Sequence, residues 1–310
     1  MSGQNGSRGQ VGIYVLLVFV FSSIFYFMAL RADNLGGEAG MYVLGLMWCP
    51  ALAAMTTLKV NGRDLAELGW KWPEKKYALG SWLIPLCYAA IAYLIVWCAG
   101  LGGFPNHEFM DKLVVVMGLH ASPAVSTVLY VLLAGSFGLA KSLASSLGEE
   151  IGWRGFLVPQ LFKSVGFTGT ALISGVVWSC WHYPLLIWGH YNGGETPTWY
   201  SLTCFTVMVV AISVVFAWMR LKSGSLWTGA LLHASHNLYV QAIFTPLTRN
   251  TGKTSWYIDE FGAALPVVAV GFAIYFWTRR KELEQTAQSA SLLQRTSLPE
   301  SEPGYKGSVV

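Results

Sequence analysis

Runs of about 20 mostly apolar residues recur along the chain, each closed by a short polar segment. That length matches an α-helix crossing the roughly 30 Å hydrocarbon core of a bilayer. About eight such runs are present: Val11–Leu30, Met41–Leu58, Leu79–Leu101, Ala124–Leu147, Thr168–Trp188, Trp199–Leu221, Leu226–Leu247 and Phe261–Trp277. The fourth is the least uniform, because Lys141 and several Gly and Ser residues interrupt it. The pattern predicts an all-α polytopic membrane protein with its transmembrane helices in one bundle, since a helix satisfies its own backbone in lipid.

Composition supports this reading. Hydrophobic residues make up 54% of the 310-residue chain and charged residues 12%, against about 25% charged in a typical soluble domain. The net charge of +4 is small and gives no footprint for nucleic acid. Its distribution is more telling. With the N-terminus inside, the inside segments hold Arg8; Lys59, Arg63, Lys71, Lys75 and Lys76; Arg154 and Lys163; Arg220 and Lys222; and Arg279, Arg280 and Lys281. The outside loops hold Arg31, Lys112, Arg249 and Lys253. Lys and Arg collect in cytoplasmic loops, so both termini are expected in the cytoplasm. The first run lacks a small-residue cleavage site and reads as a membrane helix, not a signal peptide. Cys49, Cys87, Cys98, Cys180 and Cys204 lie in apolar segments without a CxxC pair, and read as buried thiols.

Residues 1–10 are rich in Gly and Ser and are expected to be disordered. Residues 11–280 read as one transmembrane domain without internal repeats, and residues 281–310 as a disordered cytoplasmic tail. The loop Asn61–Gly80 sets Trp70 and Trp72 beside Lys71, Lys75 and Lys76, a composition suited to a membrane interface.

Ionisable residues at membrane depth carry the functional signal, because each costs about 2.5–3.5 kcal/mol at a helix centre. Three clusters stand out. In the first, "SLGEEIGWRGFL", Glu150 and Arg154 are four apart. On a helix they share a face, about 6 Å apart along the axis. Glu149 projects about 100° away and is left for another task. The second, "VVWSCWHYPLL", has His182 one turn after Trp178 and before Pro184. In the third, "SLWTGALLHASHNLY", His233 and Asn237 share a face and His236 is a neighbour. Taken singly, each is equally a structural device: a salt-bridged helix end, a satisfied histidine, a polar pair joining two helices. His107, His120 and His190 fall in or near outside loops and are given no role.

Taken together, the clusters can serve one another. A converged set of Glu, His, His and Asn has two chemical readings. In one, carboxylate and imidazole activate water while a His–Asn pair donates to an oxyanion. In the other, Glu149, His182 and His233 ligate Zn or another divalent metal with water in the open position.

The three stretches resemble the CPBP family, the CAAX-protease and bacteriocin-processing (Abi) intramembrane proteases. The family's Glu-Glu-x-x-x-Arg motif corresponds to Glu149, Glu150 and Arg154, its Phe-x-x-x-His motif to Trp178 and His182, and its His-x-x-x-Asn/Asp motif to His233 and Asn237. The likeness is densest over residues 120–245. Trp178 replaces the family's Phe and is expected to act as packing. The resemblance implies an eight-helix fold with a cavity open to the cytosol. It implies that Glu149 and His182 activate water and that His233 and Asn237 stabilise the oxyanion. Glu150, Arg154 and Trp178 then support the site, and no cofactor is required. An amide such as Asn237 is a poor metal ligand and a good donor, which favours this reading over the metal one.

The expectation is an intramembrane endopeptidase acting on a membrane-associated or lipidated protein or peptide within the lipid bilayer. A prokaryotic inner membrane is expected from the compact size, a setting that argues against prenylated substrates. The rival readings are a non-cutting membrane scaffold or immunity factor, and a transporter. The transporter reading lacks the repeated, broken helices expected of it.

Overall fold

The computed structural model describes residues 2–32, 38–118, 122–189 and 195–283. Among these residues the fold is all-α, with one isolated bridge between Gly103 and Arg249 and no strand. The helices are α1 (Ser2–Arg31), α2 (Glu38–Val60), α3 (Lys75–Cys98), α4 (His107–Met117), α5 (Pro123–Leu133), α6 (Leu139–Glu150), α7 (Val158–Trp188), α8 (Thr198–Ser223), α9 (Trp227–His236), α10 (Thr245–Leu247) and α11 (Ala264–Thr278). Local chemistry sets several ends. Asn106 accepts from the Phe109 amide to start α4. Ser122 accepts from the Val125 amide with Pro123 in the first turn of α5. Both are N-cap arrangements that satisfy otherwise orphaned donors.

Among the described residues, five helical runs are long and apolar enough to cross a membrane: Gly6–Arg31, Gly40–Val60, Lys75–Cys98, Pro123–Trp188 and Thr198–Ser223. The fourth run is 66 residues long, about 100 Å if straight, so it is too long for a single crossing. It contains two of the runs expected from sequence, and Gly166 divides it with φ 67°, a backbone state open to glycine. The expected seventh run is interrupted after His236 by a π segment, and the last is the 15-residue α11. The eightfold division of the hydropathy pattern therefore does not correspond to eight uniform helices.

The bundle centres on α8, whose side chains from Ala211 to Arg220 are all buried. Helices α7 and α11 pack against α8, α1 packs against α2 and α7, and α3 pairs with α9. Helix α6 lies between α2 and α9. Among the described residues, three π segments interrupt the helices, at Ala134–Gly138, Ile151–Leu157 and Asn237–Phe244. Such turns are frequent at functional sites, and the last two adjoin the motif residues.

Several expectations need correction. The stretch expected to be disordered at the N-terminus is helical from Ser2. Partners distant in sequence hold it: Ser7 Oγ donates to the Gln160 carbonyl (2.9 Å) and Arg63 donates to Gln10 (2.5 Å). The tail beyond residue 283 lies outside the described residues, as do His120 and His190. Cys49 and Cys204 are buried, but Cys87 and Cys98 lie on the outer surface of α3 and Cys180 is half-buried. A lipid-facing surface needs only to be apolar, so a membrane thiol has no need of the protein core. The Asn61–Gly80 loop is not merely an interfacial anchor. The Trp227 indole donates to the Trp70 carbonyl (2.8 Å), the Leu226 amide donates to Gly69, and Trp72 packs on Trp227.

Candidate active site

The Glu149–Glu150 pair ends α6, and Arg154 lies in the π segment that follows. The two acids are equally buried, at 1% and 0% exposure, but they have different partners. Glu150 Oε1 accepts from Arg154 (2.8 Å) and from His233 Nδ1 (3.0 Å). The Arg154 guanidinium is also held between two rings, 4.2 Å from the Trp178 centroid and 4.1 Å from that of Phe216. Cation–π contacts of this kind strengthen when desolvated. The turn is anchored from behind by Arg220, which donates to the Arg154 carbonyl (2.7 Å) and the Leu68 carbonyl (3.3 Å). Gly229 is required by the close approach of α9, because a Cβ there would stand 2.5 Å from Glu150 Oε2.

Glu149 instead receives two indole N–H groups on Oε2, from Trp178 (2.8 Å) and Trp153 (3.3 Å). Trp178, expected to act as packing, does pack through its ring, and its N–H also reaches the carboxylate. A buried indole N–H ordinarily finds a partner, and that was the available sequence signal. The Trp178 carbonyl accepts from His182 Nδ1 (2.9 Å). A carbonyl only accepts, so Nδ1 carries the proton and Nε2 of the neutral ring is a free base. The Trp178 ring also lies 5.3 Å from that of His233.

Glu149, His182, His233 and Asn237 all line one small cavity of about 50 Å³, with Trp178 in its wall. Three stretches distant in sequence thus meet at one place. His236, Gln241 and Glu260 line the same cavity. His236 Nδ1 meets the Tyr88 hydroxyl (2.6 Å) and its Nε2 meets Glu260 Oε1 (2.7 Å). His236 is visible in the sequence as a neighbour of His233, whereas Tyr88 and Glu260 reach the site only through tertiary structure.

Among the described residues no group of three His, Cys, Asp or Glu side chains is placed to hold a metal ion. Both indole donors reach Oε2 of Glu149, and His233 Nδ1 meets Glu150. The metalloprotease label is not supported.

Comparison with known proteins gives two matches. The family described as type II CAAX prenyl endopeptidase Rce1-like matches residues 124–239, the segment that carries all three motifs. A protein named CAAX prenyl protease 2 from Methanococcus maripaludis is 24% identical over 221 residues, covering 68% of this chain and 76% of the relative. Fold, cavity and relatives together define an integral membrane hydrolase, an endopeptidase of the CAAX type. Both matches support a protease of the CPBP/CAAX family.

Proposed function

We propose that this chain cleaves a peptide bond of a prenylated, membrane-associated CAAX-type protein by direct attack of water. The observation that carries the reading is the convergence of Glu149, His182, His233 and Asn237 on one cavity. The names of the relatives favour a prenylated substrate, against the expectation drawn from a prokaryotic setting. The same reading keeps both termini in the cytoplasm of a prokaryotic cell, supported by the Lys and Arg asymmetry of the loops.

Water enters the polar cavity and gives a proton to Glu149 as it attacks the scissile carbonyl. His182 assists through its free Nε2, since Nδ1 is committed to the Trp178 carbonyl. A positioned base of this kind contributes about 10²–10⁴-fold. Asn237 is half-buried at the cavity wall, and its amide N–H is a donor for the developing oxyanion. His233, tied to Glu150 through Nδ1, turns its Nε2 to the cavity and donates when the ring is protonated. The proton on Glu149 passes to the leaving nitrogen, and the tetrahedral intermediate collapses to acid and amine. Glu150, Arg154 and Trp178 hold these groups in place. No cofactor takes part in this scheme.

The test compares protein termini in cells expressing the wild type and Glu149→Gln at equal levels. New termini that require Glu149 support the reading and name the substrate. Identical termini, with both proteins folded and abundant, would refute it and favour a partner-binding role without cleavage.

A further inference from the structure

Hydrolysis of an amide must deal with three centres: the attacking water, the carbonyl oxygen and the leaving nitrogen. Glu149 with His182 serves the first, and Asn237 with His233 the second. The cavity holds one more set of polar groups, His236, Gln241 and Glu260, which that scheme leaves unused.

These groups have a fixed polarity. The Tyr88 hydroxyl and Glu260 Oε1 sit on opposite nitrogens of His236. With Tyr88 donating to Nδ1, Nε2–H donates to Glu260. Gln241 Nε2 donates to the same oxygen, Oε1, at 3.1 Å. Two donors on one oxygen mark Glu260 as an anionic acceptor. Among the described residues no hydrogen bond reaches its other oxygen, Oε2, and Glu260 lines the cavity. His236 has both nitrogens engaged, so Glu260 is the carboxylate of this wall that remains able to accept from a substrate.

The backbone aims Glu260 inward. Asp259 adopts φ 64°, a left-handed state uncommon outside glycine. Its Oδ1 accepts from the Glu260 amide (2.8 Å), and its own amide donates to the Tyr93 hydroxyl (3.1 Å). Glu260 is 7% exposed although it belongs to the segment joining α10 to α11. Strained backbone held by its surroundings is found at functional sites. His182 and Glu260 line the same cavity, which puts this wall beside the catalytic groups.

We propose that Glu260, held by His236 and Gln241, is the acceptor that binds the leaving nitrogen of the scissile amide and stabilises the positive charge it acquires. The balance is simple. The water proton held by Glu149 moves to the nitrogen, the C–N bond breaks with its electron pair on nitrogen, and Glu260 accepts a hydrogen bond without gaining a proton.

The inference rests on the proposed hydrolysis, and the test separates the two. Full-length protein in lipid bilayers is given a prenylated CAAX-type peptide, and its ester analogue in which oxygen replaces the scissile N–H. If the wild type does not cut the amide, or Glu149→Gln cuts it equally well, the functional reading fails and this inference falls with it. If cleavage requires Glu149, the inference is decided by Glu260→Gln. The expected result on the amide is a kcat lower by roughly 10- to 100-fold, with KM within about twofold, as for a contact made in the transition state. On the ester, which has no N–H to bind, kcat is unchanged or higher. An equal loss on both substrates, or no loss on the amide, overturns the inference. Glu260→Asp keeps the charge and carries the same comparison should Glu260→Gln fail to fold: an amide-selective loss supports the inference, and an equal loss overturns it.

Discussion

Glu149 and Glu150 are adjacent in the chain and equally buried, yet their carboxylates face different surroundings. Glu150 is closed in by a guanidinium, an imidazole and the backbone of α9. Glu149 is held by two neutral indole donors and opens onto the cavity. The difference begins with helical geometry, since consecutive residues project about 100° apart. It is completed by neighbours: the Arg154 turn covers one acid and the Trp178 indole pins the other. A carboxylate locked into an ion pair is a poor base. One held by neutral donors at a cavity wall keeps its lone pairs for water. The pair teaches that burial alone does not distinguish a structural acid from a reactive one, whereas the charge of the partner does.

Removing the lock should have the largest effect on folding. Arg154→Ala leaves Glu150 buried without its guanidinium, and breaking a buried pair costs about 3–5 kcal/mol. The expected outcome is a much lower unfolding temperature in detergent or lipid. A wild-type melting curve would mean that the Glu150–Arg154 pair is not the structural side of the comparison. On the cavity side, Asn237→Ala should leave folding nearly unchanged and slow cleavage about 100- to 1000-fold, the usual cost of losing an oxyanion donor. Unaltered turnover in steady-state assays would remove Asn237 from the mechanism.

Trp178→Phe sharpens the comparison, because it keeps a ring over Arg154 and deletes the N–H that Glu149 receives. Hydrogen bonds to charged groups contribute about 1.5–3 kcal/mol, so cleavage should fall roughly 10- to 100-fold. Full activity in Trp178→Phe would show that the second indole donor, Trp153, suffices to place Glu149.

Much of this was legible in the sequence. The apolar runs announce the helices because their length is set by the bilayer. The Glu150–Arg154 contact follows from a spacing of four, and the three motifs carry the family. What was missed came from tertiary structure. Arg220 reads as one more inside charge, yet it is 6% exposed and ties the Arg154 turn to Leu68. Glu260 stands just before an apolar run and reads as a loop acid until the Asp259 turn directs it inward. The packing role of Trp178 follows from the family's aromatic, but a ring alone does not reveal the N–H that reaches Glu149. Composition likewise does not reveal the helix from Ser2, nor that Ser7 and Gln10 meet Gln160 and Arg63.

The central claim is the division of labour between the two acids. It is tested most directly by measuring cleavage rate and unfolding temperature for Glu149→Gln and Glu150→Gln side by side in the same bilayers. The account predicts that Glu149→Gln melts like the wild type and loses cleavage by about 10²-fold or more, while Glu150→Gln melts markedly lower. Retained cleavage in a folded Glu149→Gln protein would contradict it.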